Sequence, residues 1–369
     1  ACLASILQAA GHRVGFMPKP HLISYTERIQ VDGTAISKGD FVKTLEDLMP
    51  TLDGIGEEMG QATEFEMLTA MALAYLSPKI DRLVCEVGLG GRLDATNALD
   101  LGVALITNVD LDHQKYLGDT IEEIAHEKAA IIKPGNSVIT GCEGPALDIV
   151  EERALLADAR VWRLGHEIKV ESIPRAWDGH TIAVSGPGFE HSGLELPLVG
   201  DYQPLNAALA VAAAHALDQV DDGTVRRGLA RTSWPGRLQL IATGPRIILD
   251  GGHNPAAMTK SGAALRRLIG SERLVAVFAM LSERDPAQLL SALRTMHPDS
   301  VVFTEPDSAR GHAVSADELA ARYGASGSAI VPAPAALERA KELARPDGNV
   351  LVCGSLYLVG EILAKSQQQ

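Results

Sequence analysis

Short runs rich in Val, Ile and Leu recur along this chain, and most are followed by a longer stretch with helical spacing. That alternation limits the fold more than any other feature, because parallel strands need crossover connections and a helix is the usual one. The spacing predicts strands at 82–86, 103–107, 137–140 and 160–163, with helices over 37–49, 63–76, 120–133 and 205–217. Residues 166–199 show strand alternation broken by Gly and Pro, which predicts a small antiparallel elaboration. After TSWPGR, a second series begins, with strands predicted at 238–242, 246–250, 274–279, 300–304 and 350–352. The expected architecture is α/β in two domains, residues 1–235 and 236–369, with ligands gathering at strand carboxyl ends and in a cleft between the domains.

Bulk properties exclude several classes. A net charge of -14, with no basic run, argues against a nucleic-acid surface. Cys2, Cys85, Cys142 and Cys353 lie far apart and without C-x-x-C spacing, so a reducing cytoplasm is expected and neither a zinc site nor a disulfide framework is. No apolar run reaches the roughly 18 residues that span a bilayer. Residues 1–10, ACLASILQAA, read as the middle of a helix without a start signal, and the terminal QQQ is expected to fray.

The stretch HEKAAIIKPG at 126–135 poses a chemical question. Thr120 and Glu123 form a T-x-x-E capping box, so a helix should start near Ile121 and stop before Pro134-Gly135. Its apolar stripe of Ile121, Ile124, Ala125, Ile131 and Ile132 is completed by Lys128, which therefore points inward. Lys133, at the expected helix end, only complements the dipole. An inward lysine is costly unless paired, deprotonated or modified. One reading pairs Lys128 with Glu127 or Asp112; the other has it carbamylated, an anion that joins Glu86 and His113 around magnesium.

Glu86 and His113 draw attention because each follows a predicted strand: RLVCE runs into GLGGRLDATN, and VALIT into NVDLDH. The first loop offers glycines for close backbone approach and Asp94, Thr96 and Asn97 as polar contacts. In the second series, the strand at 246–250 runs into GGHNP, placing Asp250 and His253 at another carboxyl edge. A turn and N-cap at Asn254-Pro255 explains the same residues equally well.

Taken in order, PHLISYTERIQVDG, EVGLGGRLDATN, LDHQKYLGDTIEEIAHEKAAIIKPG, GDYQPLNAALA, WPGR, LDGGHNP and GSLYLVGE span nearly the whole chain. Together they resemble the folylpolyglutamate synthase and dihydrofolate synthase family of the Mur ligase superfamily. The resemblance implies a P-loop-type ATPase domain followed by a smaller Rossmann-like domain. It implies an ATP-dependent ligase that adds L-glutamate to dihydropteroate and to reduced folates through an acyl phosphate. It further implies ATP and Mg2+ as cofactors, with a second divalent or monovalent cation, and a cytoplasmic monomer that binds small molecules, not nucleic acid or membrane. By the same resemblance Glu86, His113 and carbamylated Lys128 hold the metal and serve catalysis. Asn206 lies against adenine, Arg237 reaches the phosphates, Asp250 and His253 line the nucleotide and glutamate side, and Ser355 contacts the glutamate. Thr63, Phe65, Asp94 and Ala95 match positions that hold the pterin, which favours a bifunctional enzyme over a monofunctional synthase, another Mur-type ligase or an inactive folate-binding protein.

Two departures stand out. The family's phosphate loop, of the form G-T-N-G-K-G-S, would stand just before Ala1, so the chain as written is expected to hold ATP poorly. Where the family often has T-S-P-H-L this chain has PKPHL, and an ammonium at Lys19 cannot ligate a cation, so Lys19 is expected to alter that site or to contact phosphate.

Overall fold

The computed structural model describes residues 1–367, with only the backbone for 57–59. Of the terminal QQQ expected to fray, Gln367 caps helix Leu356–Ser366 with its N–H donating to Leu363 O, and residues 368–369 lie outside the described range. The chain divides into two compact units. The first comprises Ala1–Pro174, His180–Pro197 and Tyr202–Thr232; the second comprises Arg175–Gly179, Leu198–Asp201 and Ser233–Gln369.

In the first unit, strand Arg82–Cys85 pairs in parallel with Val14–Met17, a strand that the sequence pattern did not reveal. All four residues of Val14–Met17 are buried, and four residues including a glycine are too few to show a period. Gly15 packs closely there: a Cβ would stand 2.6 Å from Ile80 Cδ1, and that side chain would have to shift. A second sheet aligns Val103–Ile106, Ser137–Thr140 and Arg160–Arg163 in parallel, as the sequence predicted. Between the last two strands runs helix Gly144–Leu156, also absent from the sequence reading. Ala125, Ala129 and Ile132 pack with Val138, Val150 and Ala154 into one core, to which each fully buried Ile or Val contributes about 1.5–3 kcal/mol. The 166–199 segment is the expected antiparallel sheet, formed by Lys169–Pro174, His180–Gly186 and Phe189–Leu196.

Three helix boundaries differ from expectation. Helix Lys38–Met59 runs ten residues past the predicted stop at Met49, carrying Pro50 within it. The proline removes one N–H from the ladder, but the helix resumes on either side. Helix Tyr202–Leu217 begins earlier than predicted because Pro204 fits a first turn, where N–H groups have no intrahelical partner. Helix Ile121–Ala129 starts at the expected capping box but stops short: the chain tightens as Ile131 N–H donates to Lys128 O and Ile132 N–H to Ala129 O. The residue before Pro134 is steered out of the helical region. Lys133 is therefore no helix-end cation; its N–H donates to Asn136 Oδ1 at 3.1 Å.

The second unit is a six-stranded sheet in the order Gln239–Thr243, Arg246–Leu249, Asn349–Cys353, Leu274–Phe278, Ser300–Phe303, Gly327–Ala329. All pairings are parallel except that of the Gln239–Thr243 edge strand. Leu274–Phe278 and Asn349–Cys353 are buried along their whole length, which explains why LVAVF and NVLVC read as unbroken apolar runs.

Candidate active site

Two loops and one helix of the first unit build the site. The first loop leaves strand Arg82–Cys85 at Glu86, whose N–H donates to Met17 O and whose Oε2 accepts the Lys19 N–H at 2.8 Å. Asp94 folds this loop on itself. Its Oδ2 accepts the N–H groups of Gly88 and Leu89, each at 3.0 Å, and its Oδ1 accepts the Thr96 N–H and hydroxyl. Both carboxylate oxygens are thus filled, and Asp94 caps the short helix Ala95–Ala98. Gly91 lies so close to the Ile121–Ala129 helix that a Cβ would stand 2.5 Å from Glu127 O, and Arg92 N–H donates to that carbonyl at 2.9 Å.

The second loop leaves strand Val103–Ile106 and carries Asp110, Asp112 and His113. His113 adopts a left-handed backbone, φ 54°, and precedes the short helix Gln114–Leu117. Its N–H donates to Asp112 Oδ1 at 2.8 Å, and its Nε2 stands 3.9 Å from Asp112 Oδ2. Between the loops lies a cavity of about 230 Å³, lined among others by Gly88, Gly90, Asp110, Asp112, His113 and Lys128. Lys128 is half-buried, and burial pulls its pKa down against the opposing pull of Asp112 and Cys142. The structure therefore brings His113 and Lys128 together, while Glu86 stands one residue before the first lining residue, Val87. Asp110 was missed from the sequence; two acids flanking Leu111 before a histidine was the available signal.

Phe65 and Thr63 open helix Glu64–Leu76. Thr63 and Glu66 form a reciprocal capping box, with the Thr63 hydroxyl donating to Glu66 Oε2 at 2.8 Å. The Phe65 ring leaves no room for a side chain at Gly88, where a Cβ would stand 2.6 Å from its Cζ. The Lys19 ammonium sits 3.5 Å from the centre of the same ring. His21 also escaped the sequence reading: Arg28 Nε donates to its Nδ1 at 2.9 Å, and burial, then Arg28, lowers its pKa. Asn206 lies exposed on helix Tyr202–Leu217.

In the second unit, strand Arg246–Leu249 pairs in parallel with Asn349–Cys353, so Asp250 and Ser355 leave neighbouring strand ends. Asp250 is buried; its Oδ1 accepts the Gly252 N–H at 3.0 Å and its Oδ2 the Leu238 N–H at 3.1 Å. Burial pushes its carboxyl above the usual range, with Arg237 opposing. His253 Nδ1 lies 2.9 Å from Gly251 O, and Asn254 caps helix Pro255–Ile269, so the turn-and-cap reading of GGHNP is realised whatever ligand the segment serves. Gly354, at φ +90°, has Ala279 O within 2.5 Å of where a Cβ would be, and ties the two edges through its N–H to Gly252 O. Ser355 is 2% exposed, and its hydroxyl has no hydrogen-bond partner.

Among the described residues no three His, Cys, Asp or Glu side chains converge as metal ligands. Among the described residues no helix is long and apolar enough to cross a membrane.

Comparison with known proteins is consistent with these features. Residues 34–214 match the Mur ligase middle domain, and residues 236–356 the Mur ligase glutamate ligase domain. A probable bifunctional folylpolyglutamate synthase/dihydropteroate synthase of Halobacterium salinarum is 36% identical over 97% of the chain, which spans only 44% of that protein. The dihydrofolate synthase/folylpolyglutamate synthase of Escherichia coli is 33% identical over 98% of this chain and 82% of its own. The Mycobacterium tuberculosis folylpolyglutamate synthase, solved with ADP and AMPPCP, superposes with a TM-score of 0.93 at 32% identity, covering 100% of this chain and 88% of that one. The chain belongs to the folylpolyglutamate synthase/dihydrofolate synthase family of Mur ligases.

Proposed function

We propose that this protein is an ATP-dependent ligase that joins L-glutamate to dihydropteroate and to reduced folates. The cavity that gathers His113 and Lys128 beneath two strand-end loops is the observation that carries the reading. Residues 1–235 hold nucleotide and pterin in this reading, and residues 236–369 take the amino acid. A carboxylate oxygen of the pterin substrate attacks the γ-phosphorus and ADP leaves; the glutamate nitrogen then displaces phosphate from the activated carbonyl. Such transfers depend on positioning and on cations that offset charge.

The donor set fits a hard divalent ion on one condition. Among the described residues three ordinary acidic or imidazole ligands do not converge, and in this reading Lys128 as a carbamate adds an anionic ligand beside Glu86 and His113. Mg2+ held there supplies positive charge against the phosphates. Burial favours the neutral amine of Lys128, the form that reacts with carbon dioxide. Asp94 holds the loop; Thr63, Phe65 and Ala95 present the pterin face. Asn206 meets adenine, Arg237 the phosphates, Asp250 and His253 the nucleotide and glutamate, and Ser355 the glutamate. The protein works as a monomer in the cytoplasm.

The test is ADP release by protein expressed from its complete reading frame. Release is expected only when L-glutamate is present together with dihydropteroate or a reduced folate. Release indifferent to both pterins overturns the assignment.

A further inference from the structure

We propose that the ammonium of Lys19 does the work of a second metal ion: it is a cation built into the chain beside Glu86, and it meets the phosphoryl group passed to the substrate carboxylate. The inference rests on the ligase reading of the site.

Lys19 follows strand Val14–Met17, whose last residue is in register with Cys85, so Lys19 and Glu86 leave adjacent strand ends. Its backbone N–H is spent on Glu86 Oε2. Its side chain does not run out to water. The Nζ atom is shielded from solvent, has no hydrogen-bond partner, and rests 3.5 Å from the centre of the Phe65 ring. Burial lowers its pKa; Asp94, Cys85 and Glu86 oppose that shift and Arg28 adds to it. Asp94 has no oxygen to spare, since Gly88, Leu89 and Thr96 fill both.

An ammonium has three N–H donors, and a buried charged donor left unmade costs more than a neutral one. A ring face offsets part of that cost and supplies no lone pair. The arrangement is therefore short of one anion. Lysine is a compact point charge on a flexible four-carbon stem, so the ammonium can swing from the ring to an arriving oxygen. A phosphoryl oxygen, carrying full charge and drawn to cations, is the matching partner.

The same geometry disfavours a second divalent ion. On the Lys19 side of Glu86 such an ion would face the ammonium, and two positive charges placed that close repel. The cavity lined by His113 and Lys128 does not include Lys19 among its walls, so one ion can reside there without meeting that repulsion.

Counting Mn2+ by electron paramagnetic resonance in the presence of AMPPCP, an ATP analogue that keeps the γ-phosphoryl group, tests this on the complete protein. The parent and Lys19→Arg are expected to hold one tight Mn2+, and Lys19→Ser two. In Lys19→Ser, AMPPCP affinity at limiting metal is expected to drop about tenfold, the scale of one charged contact, and to return with added Mn2+. Lys19→Ala serves as the second charge-free variant if melting shows the serine protein to be unfolded. Equal stoichiometry in parent and charge-free variants overturns the proposal. A parent that binds no Mn2+, with His113→Ala unchanged, overturns the metal centre itself; an added ion in Lys19→Ser would still uphold the role of Lys19.

Discussion

Arg92 Nε donates to Glu127 Oε1 at 2.8 Å, and this pair removes Glu127 from its neighbour Lys128. The sequence left Glu127 and Asp112 as equal partners for that lysine. The structure gives Glu127 to the glycine-rich loop and leaves Lys128 facing Asp112 across the cavity. Lys128→Ala is expected to lower kcat by about a hundredfold or more, the loss typical of one preorganised charged group. Added bicarbonate should not restore it, whereas a short carboxylic acid should do so in part. Undiminished turnover in the variant refutes the carbamate.

Asp94 is expected to act through the loop it ties. Asp94→Ala frees the N–H groups of Gly88, Leu89 and Thr96, in a segment partly open to water. The cost should be about 1–2 kcal/mol of stability, read as a lower melting temperature, together with a higher KM for the pterin. If the melting temperature holds while KM rises, Asp94 contacts substrate directly.

Gly91→Ala should be costlier than its size suggests. The added methyl would press on the Glu127 carbonyl, at 2.5 Å, and on Ile131. Main chain cannot yield as a side chain can, so the loop must lift from the Lys128 helix. Activity and thermal stability are expected to fall together; a protein with parental melting and full turnover contradicts the close docking.

Ser355→Ala should separate stability from binding. The buried hydroxyl has no partner in the ligand-free protein, so its removal is expected to leave the melting temperature unchanged or slightly raised. KM for L-glutamate should rise about tenfold, the value of one hydrogen bond to a charged group. A fall in stability with KM unaffected would place Ser355 outside the amino-acid site.

Acid should weaken the first unit through His215. His191 and His215 share a contact of 2.9 Å between their Nε2 atoms, Asp222 stands 3.0 Å from His191 Nδ1, and Phe189 stacks on His215 at 4.1 Å. Asp222 is itself paired with Arg226. Burial, then His191, lowers the His215 pKa from 6.5 to about 4. The unfolded chain therefore takes up this proton first: the contribution is whole above pH 6.5 and is lost as pH falls toward 4. Its size should be on the order of 1–2 kcal/mol, discounted for partial exposure of the ring. Urea midpoints between pH 7 and pH 4 should shift less in His215→Gln than in the parent; identical slopes remove His215 as the cause.

What the sequence determined by itself was everything written in local spacing. The parallel strands from 103 to 163, the Thr120–Glu123 cap, the inward Lys128 and the second strand series follow from period and capping chemistry, which each segment carries within a few residues. Only the tertiary structure decided what depends on distant neighbours. Strand Val14–Met17 exists because Arg82–Cys85 supplies its hydrogen bonds. Helix Ile121–Ala129 ends early because the chain turns toward Pro134, and Glu127 belongs to Arg92 because Gly91 lets the loop approach. Lys19 stood out in the sequence only as a departure from T-S-P-H-L; that its ammonium rests on Phe65 is a contact made across 46 residues that no local pattern encodes.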